Sequence, residues 1–520
     1  MKTLPKNAPG AKALLTDLYQ LTMAYGYWKT GKADQEAVFH LLFRKQPFQG
    51  GFTLCCGLAD SIQYLRGFKF ENSDLEYLGQ LKGNDGKRLF EPGFLKYLGG
   101  LKLCLDVDAI PEGTVVFPQE PLLRIRGPIL QAQLVETALL NLFNFQSLIA
   151  TKAARVCLAA QGDPVVEFGL RRAQGIDGAL TASRAAYIGG CRGTSNVLAG
   201  KVFGIPVKGT HAHSWVMSFE NELDSFDAYA NALPNNCIFL VDTYNSLEGV
   251  GHAIEVGKRL RKRGHKLGGI RLDSGDLAYF SIEARKMLNA AGFKDAVIVG
   301  SNDLNERLIA SLKQQGAAIN VWGVGTMLVT AYDQPALGGV YKLSAIRKRD
   351  GTWEHKIKLS EQSVKVTNPG VLQVRRFRKG NQFTGDAIYD ETRPLRKLIT
   401  IVDPADTTRR KHFSADTKYE DLLVPVLRRG KLVYDLPMLD SIRTRAQRQL
   451  ASLYPGIKRF DNPHQYPAGL ELTLHQFKTE LILRAKGEIL KRIESRAQAL
   501  PYFGFDRPSP RHCSFSLRIS

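Results

Sequence analysis

Two histidines stand one residue apart in G-T-H-A-H-S, at positions 211 and 213. On an extended segment both side chains point the same way. Two histidines without a third ligand make a poor zinc site, and a lone histidine usually serves structure. An imidazole at the end of a buried strand is nonetheless suited to nucleophilic or acid–base work, which makes His213 a candidate. In R-L-D-S-G-D, Arg271 lies inside an apolar run with Asp273 and Asp276 just after it. One Arg-x-Asp pair normally sets strand register as a buried ion pair. At a shared mouth the guanidinium can instead fork onto carboxylate or phosphate, while the aspartates hold Mg2+ or ribose hydroxyls. Ser301-Asn302 and Gly323-Val324-Gly325-Thr326 are turns whose small side chains let backbone N–H groups approach an anion. Gly-x-Gly-Thr alone carries little, but two such turns on successive strands point to phosphate. Phe168 with Arg171 and Arg172, and Tyr19 with Tyr25 and Tyr27, add rings and cations that suit a flat, charged ligand, although aromatics more often mean core.

These groups need a frame that brings them together. Apolar runs at Val165 to Phe168, Ile205 to Val207, Ile238 to Val241, Leu267 to Leu272, Ala296 to Val299 and Ile319 to Val324 look like buried parallel strands. Amphipathic helices are expected between the later ones, over Gly249 to Arg263 and Leu277 to Ala291. Polar residues follow every run: GLRRAQ, KGTHAHS, DTYN with Asp242, DSGD, SND with Asp303, and Gly325-Thr326. An open sheet concentrates function at one switch point, whereas a βα barrel gathers all its carboxyl ends on one face. Six functionalised ends favour the barrel, over residues 161–335.

The flanking segments, 1–160 and 336–520, are expected to form a second α/β unit. Strands are expected at Ala37 to Lys45 and Thr114 to Ile125, and a long helix from Gln131 to Ala160. Gly339 to Ile346 and Leu398 to Val402 are candidates to rejoin the N-terminal strands. Helices are expected at about 439–452 and 474–498, and the last twenty residues have the composition of a poorly ordered loop.

Composition narrows the class. With 520 residues and 44% apolar content the chain can bury a large core. Seven scattered cysteines, odd in number and without C-x-x-C spacing, read as reduced thiols of a cytoplasmic protein. The N-terminus lacks a signal-peptide pattern and there is no long uncharged apolar stretch, so neither secretion nor membrane insertion is expected. Of the net charge of +21, residues 341–520 carry +16, from 35 Lys and Arg against 19 Asp and Glu. Clusters such as Arg375, Arg376, Arg378 and Lys379, or Arg443, Arg445 and Arg448, have no interleaved aromatic platform. They read as solvated surface rather than a nucleic-acid site.

LLTDLYQLTMAYGYW (14–28), EFGLRRAQGIDGA (167–179), TSNVLAG (194–200), GTHAHS (209–214), RLDSGD (271–276) and GVGT (323–326), taken in order, resemble the nicotinate phosphoribosyltransferase family over about residues 14–345. The resemblance implies a type II phosphoribosyltransferase homodimer: an irregular βα barrel with an α/β sandwich of N- and C-terminal strands. It also implies synthesis of nicotinate mononucleotide and diphosphate from nicotinate and phosphoribosyl diphosphate, for NAD synthesis. ATP hydrolysis, with Mg2+, would drive that ligase-type reaction through a phosphohistidine. The family motif A-H-S puts the phosphorylated residue at His213 and leaves His211 unassigned. Phe168 and, from the other subunit, Tyr19 would sandwich the pyridine ring. Arg271 and Thr210 would meet nicotinate, Arg171 the diphosphate, and Asn302, Asp303, Gly325 and Thr326 the phosphoribosyl group.

The nicotinamide enzyme is the near competitor. Its family carries an aspartate in the base pocket, where this sequence has Asn196, preceded by Ser195. A carboxylate would repel nicotinate, whereas Asn and Ser can donate to it, so the acid is the expected substrate. Asp242 or another strand-end acid is expected to orient His213, and Asp273 to act beside Arg271 as a catalytic group and candidate Mg2+ contact. Two other readings are a basic RNA-binding or scaffold protein, resting only on the C-terminal charge, and a quinolinate-type transferase, which needs no phosphohistidine.

Overall fold

The computed structural model describes residues 13–362 and 365–498. At its centre is a curled sheet of six parallel strands in the spatial order Gly193–Thr194, Val165–Glu167, Val321–Val324, Val297–Gly300, Gly269–Leu272 and Ile238–Leu240. Helices Ser246–Lys262, Leu277–Ala290 and Glu306–Gln314 connect the later strands, as the hydrophobic periodicity leads one to expect. Asn245, Asp276 and Asn305 cap these three helices through their side-chain oxygens, so each begins directly after a polar strand end. The molecule is α/β, with the irregular βα barrel as its core.

The irregularity has a local cause. Five of the six apolar runs form strands, but Ile205 to Val207 contributes only a bridge from Val207 to Thr194. Pro206 has no N–H, and it is Lys208 that donates to the Thr194 carbonyl. The sixth strand is instead the two-residue Gly193–Thr194, too short to leave any hydrophobic pattern.

A seven-stranded antiparallel sheet flanks the barrel, in the order Trp353–His355, Gly339–Arg347, Glu36–Phe43, Leu123–Pro128, Asp106–Ala109, Val424–Arg428 and Lys431–Leu432. Gly339–Arg347 therefore does rejoin the N-terminal strands, pairing with Glu36–Phe43. Ile399–Val402 does not. It belongs to a separate six-stranded sheet with Arg410–Phe413, Ala468–Glu471, Gln382–Asp390, Leu372–Lys379 and Lys418–Asp421. The run from Thr114 to Ile125 is broken into Val115–Val116 and Leu123–Pro128, with Pro118 and Pro121 between them. Helices Leu439–Ala451 and Leu472–Gln498 follow, and the C-terminal tail beyond residue 498 lies outside the described residues.

The segment expected to be one helix from Gln131 forms two, Ile129–Leu134 and Glu136–Ala159. The longer is the axle of the structure, with its C-terminal half buried almost throughout. It packs so closely on Ile176–Gly189 that a Cβ on Gly189 would stand 2.4 Å from the Ala150 carbonyl oxygen. Beside this contact, buried Arg184 forks onto buried Glu112 at 2.8 and 2.7 Å, and Glu112 also accepts from the Gly57 N–H at 2.7 Å. Burial alone would raise the Glu112 carboxyl, but the guanidinium overrides it and holds the group below the usual carboxylate range. Arg184→Met would leave that charge buried and unpaired. The expected loss is about 3–5 kcal/mol of stability, read as a lower urea midpoint.

Of the C-terminal basic clusters, Arg378, Lys379, Arg445 and Arg448 are exposed, whereas three arginines are held by partners. Arg376 is buried and forks onto Asp386, Arg375 pairs with Asp421 through both Nε and Nη2, and Arg443 donates to the Gly190 carbonyl. Among the described residues no helix is long and apolar enough to cross a membrane, and the six described cysteines are free.

Candidate active site

Parallel strands aim their carboxyl ends at one face, and Arg271, Asp273, Thr210, Ser301, Asp242 and His213 meet there. Arg271 is the hub. From Gly269–Leu272 its Nε donates to Ser301 Oγ (2.9 Å), its Nη1 to Thr210 Oγ1 (3.1 Å) and its Nη2 to Asp273 Oδ1 (2.9 Å). Ser301 in turn donates to Asp273 Oδ1 at 2.5 Å, so one guanidinium ties three strand ends together. The Phe168 ring lies 5.6 Å from the Arg271 guanidinium carbon, giving a flat wall beside a cation. Gly323 makes room for that ring, because a Cβ there would come within 2.7 Å of it.

Glu167, which the sequence did not single out, fixes this wall. It is buried, and it accepts from the Gly169 N–H, from Ser183 Oγ at 2.8 Å and from Thr194 Oγ1 at 2.5 Å. A carboxylate hidden inside an apolar run has no periodic signature, so only the fold exposes its role.

His213 opens the short helix His213–Val216 at the same mouth, with its side chain 40% exposed. Its Nδ1 lies 3.1 Å from Thr243 Oγ1, and its Nε2 lies 4.0 Å from both Asp242 Oδ1 and Asp273 Oδ2. The Asp242 side chain is almost fully buried. Its Oδ2 accepts from the Asp273 N–H (2.9 Å) and from Ser274 Oγ (2.6 Å), while its buried Oδ1 has no hydrogen-bond partner. A buried carboxylate oxygen left facing an imidazole is costly unless the ring or a cation answers it.

His211 points elsewhere and closes the barrel wall. Between the Val207 bridge and strand Ile238–Leu240 there is no strand pairing, and His211 bridges the gap: the Leu240 N–H donates to its Nε2 at 3.2 Å. The ring packs against Phe226, Tyr229 and Phe239. Burial, helped by the nearby Arg271 and His213 and opposed by the Ala212 carbonyl, lowers its pKa to about 4, so it stays neutral. An unfolded histidine takes up its proton near 6.5. The stability given by neutral His211 is therefore complete above pH 6.5 and is lost as the pH falls towards 4. His211→Phe would keep the packing but orphan the Leu240 N–H. We expect a loss of about 1–3 kcal/mol at neutral pH. We also expect a shallower fall in stability between pH 6.5 and about 4 than in the parent, measured by urea unfolding across that range.

The remaining candidates are less converged. Asn302 and Asp303 are exposed and adopt left-handed backbone, with φ of 101° and 39°. Thr326 begins the short helix Thr326–Val329 after Gly325, on the strand next to theirs. Arg171 is exposed in the turn Leu170–Arg172. Tyr19 is 48% exposed on helix Leu18–Lys29 and its hydroxyl donates to Glu136. Tyr25, by contrast, packs with Trp28, Phe90 and Phe94 as core. Asn196 is engaged within the fold. It is buried, it caps helix Val197–Phe203 by accepting from the Ala199 N–H (3.1 Å), and its Nδ2 donates to Ser183 Oγ (3.3 Å). No group of three or more His, Cys, Asp or Glu side chains arranged to hold a metal occurs among the described residues.

Family sequence models match in three adjoining stretches: the nicotinate phosphoribosyltransferase N-terminal domain at 14–144, the family's main model at 164–380 and its C-terminal domain at 373–478. The chain is 44% identical over 487 residues to nicotinate phosphoribosyltransferase of Bacillus subtilis (strain 168), covering 93% of this chain and 97% of that protein. It is 36% identical over 541 residues to the Homo sapiens protein of that name, covering 92% and 98% respectively. The crystal structure of human nicotinic acid phosphoribosyltransferase superposes with a TM-score of 0.78 at 34% identity, over 90% of this chain and 99% of that one. A nicotinate-nucleotide pyrophosphorylase from Pyrococcus furiosus, 22% identical with a TM-score of 0.64 over 87% of this chain and 98% of that one, shares the fold. By sequence along nearly its whole length and by fold, this chain belongs to the nicotinate phosphoribosyltransferase family.

Proposed function

We propose that the protein joins nicotinate to phosphoribosyl diphosphate, releasing nicotinate mononucleotide and diphosphate for NAD synthesis, with ATP hydrolysis coupled through His213. The Arg271 hub carries this reading. A guanidinium has five N–H donors, and the three internal hydrogen bonds leave two for a substrate carboxylate. Phe168 offers its face to the pyridine ring, and a second ring, Tyr19, would come from the partner of a homodimer. Ser195 is half-buried with no hydroxyl partner among the described residues, and we put it in the place first given to Asn196 as the neutral group that tolerates an acid.

In the transfer step the bond from ribose C1 to diphosphate breaks and a bond to the pyridine nitrogen forms. The sugar passes through an oxocarbenium-like state, so no side chain need attack it. Arg171 would steady the departing diphosphate, and the strand ends at 302–303 and 325–326 would hold the ribose phosphate in line. Mg2+ would arrive on the substrate phosphates and neutralise their charge. Asp273 and the free Oδ1 of Asp242 fit it, being carboxylate oxygens at the same mouth.

For His213, donation from Nδ1 to Thr243 would fix the ring and leave the Nε2 lone pair to take the γ-phosphoryl group as the bond to ADP breaks. Water later cleaves the phosphorus–nitrogen bond and returns phosphate. Turnover with nicotinate, nicotinamide or quinolinate as base, with and without ATP, tests the reading. We expect nicotinate to be used best and ATP to stimulate it. Preference for either other base, or indifference to ATP, would contradict it.

A further inference from the structure

The two loops that would hold the phosphoribosyl group leave adjacent parallel strands, Val297–Gly300 and Val321–Val324. Both are strained. Asn302 and Asp303 have φ of 101° and 39°, and Ala331, just beyond helix Thr326–Val329, has φ of 44°. Non-glycine residues persist in such conformations only where surrounding contacts hold them.

One ammonium reaches both loops. Lys152 comes from the long helix Glu136–Ala159, and its Nζ stands 2.7 Å from Glu306 Oε2 and 2.6 Å from Asp333 Oδ1. Glu306 is the first residue of the helix after the 301–305 loop, and Asp333 ends the turn that follows Thr326–Val329. The side chains of Lys152 and Glu306 are each 2% exposed, whereas that of Asp333 is 44% exposed. Arg155 adds a second cation on Glu306 Oε1 at 2.7 Å, so two positive and two negative charges balance. Both cations lie against the Phe48 ring, at 4.9 and 5.6 Å. The Phe48 N–H donates to Gln334 Oε1 at 3.3 Å, tying the same turn down from the other side. A lysine serves here because its compact charge donates a hydrogen bond to Asp333 Oδ1 while pairing as an ion with Glu306 Oε2, which accepts no hydrogen bond of its own. Among the described residues no hydrogen bond, ion pair or ring contact joins this cluster to Arg271, Thr210, Asp273, Ser301 or Phe168.

We propose that Lys152 is a positioning residue for phosphoribosyl diphosphate: by clamping Glu306 and Asp333 it sets the spacing of the two loops that grip the phosphoribosyl group. The inference rests on the reading of those loops given above. Small displacements of a binding group far from the reacting atoms are costly. Loosening the clamp should therefore weaken phosphoribosyl diphosphate while leaving the nicotinate contacts at Arg271 intact.

The test uses the full-length chain as Asp333→Asn, Lys152→Met and Lys152→Arg. Phosphoribosyl diphosphate binding is followed by titration calorimetry, with KM for each substrate and the urea midpoint measured alongside. Asp333→Asn removes the charge from the exposed arm, leaving Lys152 only a neutral amide oxygen there, and should fold normally. Its Kd and KM for phosphoribosyl diphosphate should rise about tenfold, with KM for nicotinate within about twofold. Lys152→Met should rise further, and Lys152→Arg should recover part of the loss. Unchanged phosphoribosyl diphosphate affinity in Asp333→Asn, or both KM values rising together as stability falls, would overturn the clamp. Parent protein that binds phosphoribosyl diphosphate but does not use nicotinate would instead count against the functional reading, with the clamp still decided by the calorimetry. Parent protein that binds no phosphoribosyl diphosphate would overturn both.

Discussion

His213→Ala is expected to abolish the stimulation of nucleotide synthesis by ATP while leaving slow, ATP-independent synthesis. The imidazole stands at the barrel mouth within 4.0 Å of Asp242 and Asp273, but it is not among the groups that hold the base. Its removal should therefore spare the transfer chemistry and cut the link to ATP. A ligand shifts a conformational equilibrium only as far as its differential affinity allows, and such couplings span about 5- to 150-fold. The loss in kcat/KM for phosphoribosyl diphosphate at saturating ATP should fall in that range, and the ratio of rates with and without ATP should become one. Full ATP-dependent turnover in the variant would remove His213 from the mechanism.

Arg271→Ala should be the more damaging substitution. It removes the donors offered to nicotinate, and it also leaves Asp273, Ser301 and Thr210 without their shared partner. Truncating one member of a desolvated, hydrogen-bonded charge pair costs about 2–5 kcal/mol, which corresponds to a fall of about 30- to 5,000-fold in kcat/KM for nicotinate. Arg271→Lys should recover little of this, because an ammonium cannot reproduce the planar fork that reaches three loops at once. Steady-state kinetics with nicotinate varied, and calorimetry with phosphoribosyl diphosphate alone, would separate a lost base site from a collapsed mouth. A variant that keeps the parental kcat/KM would show that the carboxylate is read elsewhere.

Local chemistry carried the barrel and much of its mouth. A buried parallel strand followed by a polar capped turn is written in contiguous residues, so Arg271, Asp273 and the turns at 301 and 323 could be found in order along the chain, whereas Thr210 came only with the family resemblance. The groups that escaped act through long-range contacts. His211 gains its role only where Leu240 runs past it, and Glu167 only where Ser183 and Thr194 arrive. Lys152 reads as one polar residue in an Ala-rich helix until the fold brings Glu306 and Asp333 to it. Asn196 shows a second task that the sequence did not suggest: an amide two residues beyond a strand can cap the next helix, and here it does. Leu398 to Val402 looked like a partner for the N-terminal strands because edge pairing between antiparallel strands leaves no local mark; its neighbours are Arg410–Phe413 and Ala468–Glu471.

The coupling of ATP to transfer through one imidazole is tested most directly by finding the phosphate itself. Protein incubated with ATP and Mg2+ would be digested and mapped by mass spectrometry under alkaline conditions, which preserve the acid-labile phosphorus–nitrogen bond. The expected result is phosphate on His213, absent from His211, and discharged when nicotinate and phosphoribosyl diphosphate are added. An unmodified His213, or phosphate on another residue that turns over with product formation, would contradict the assignment.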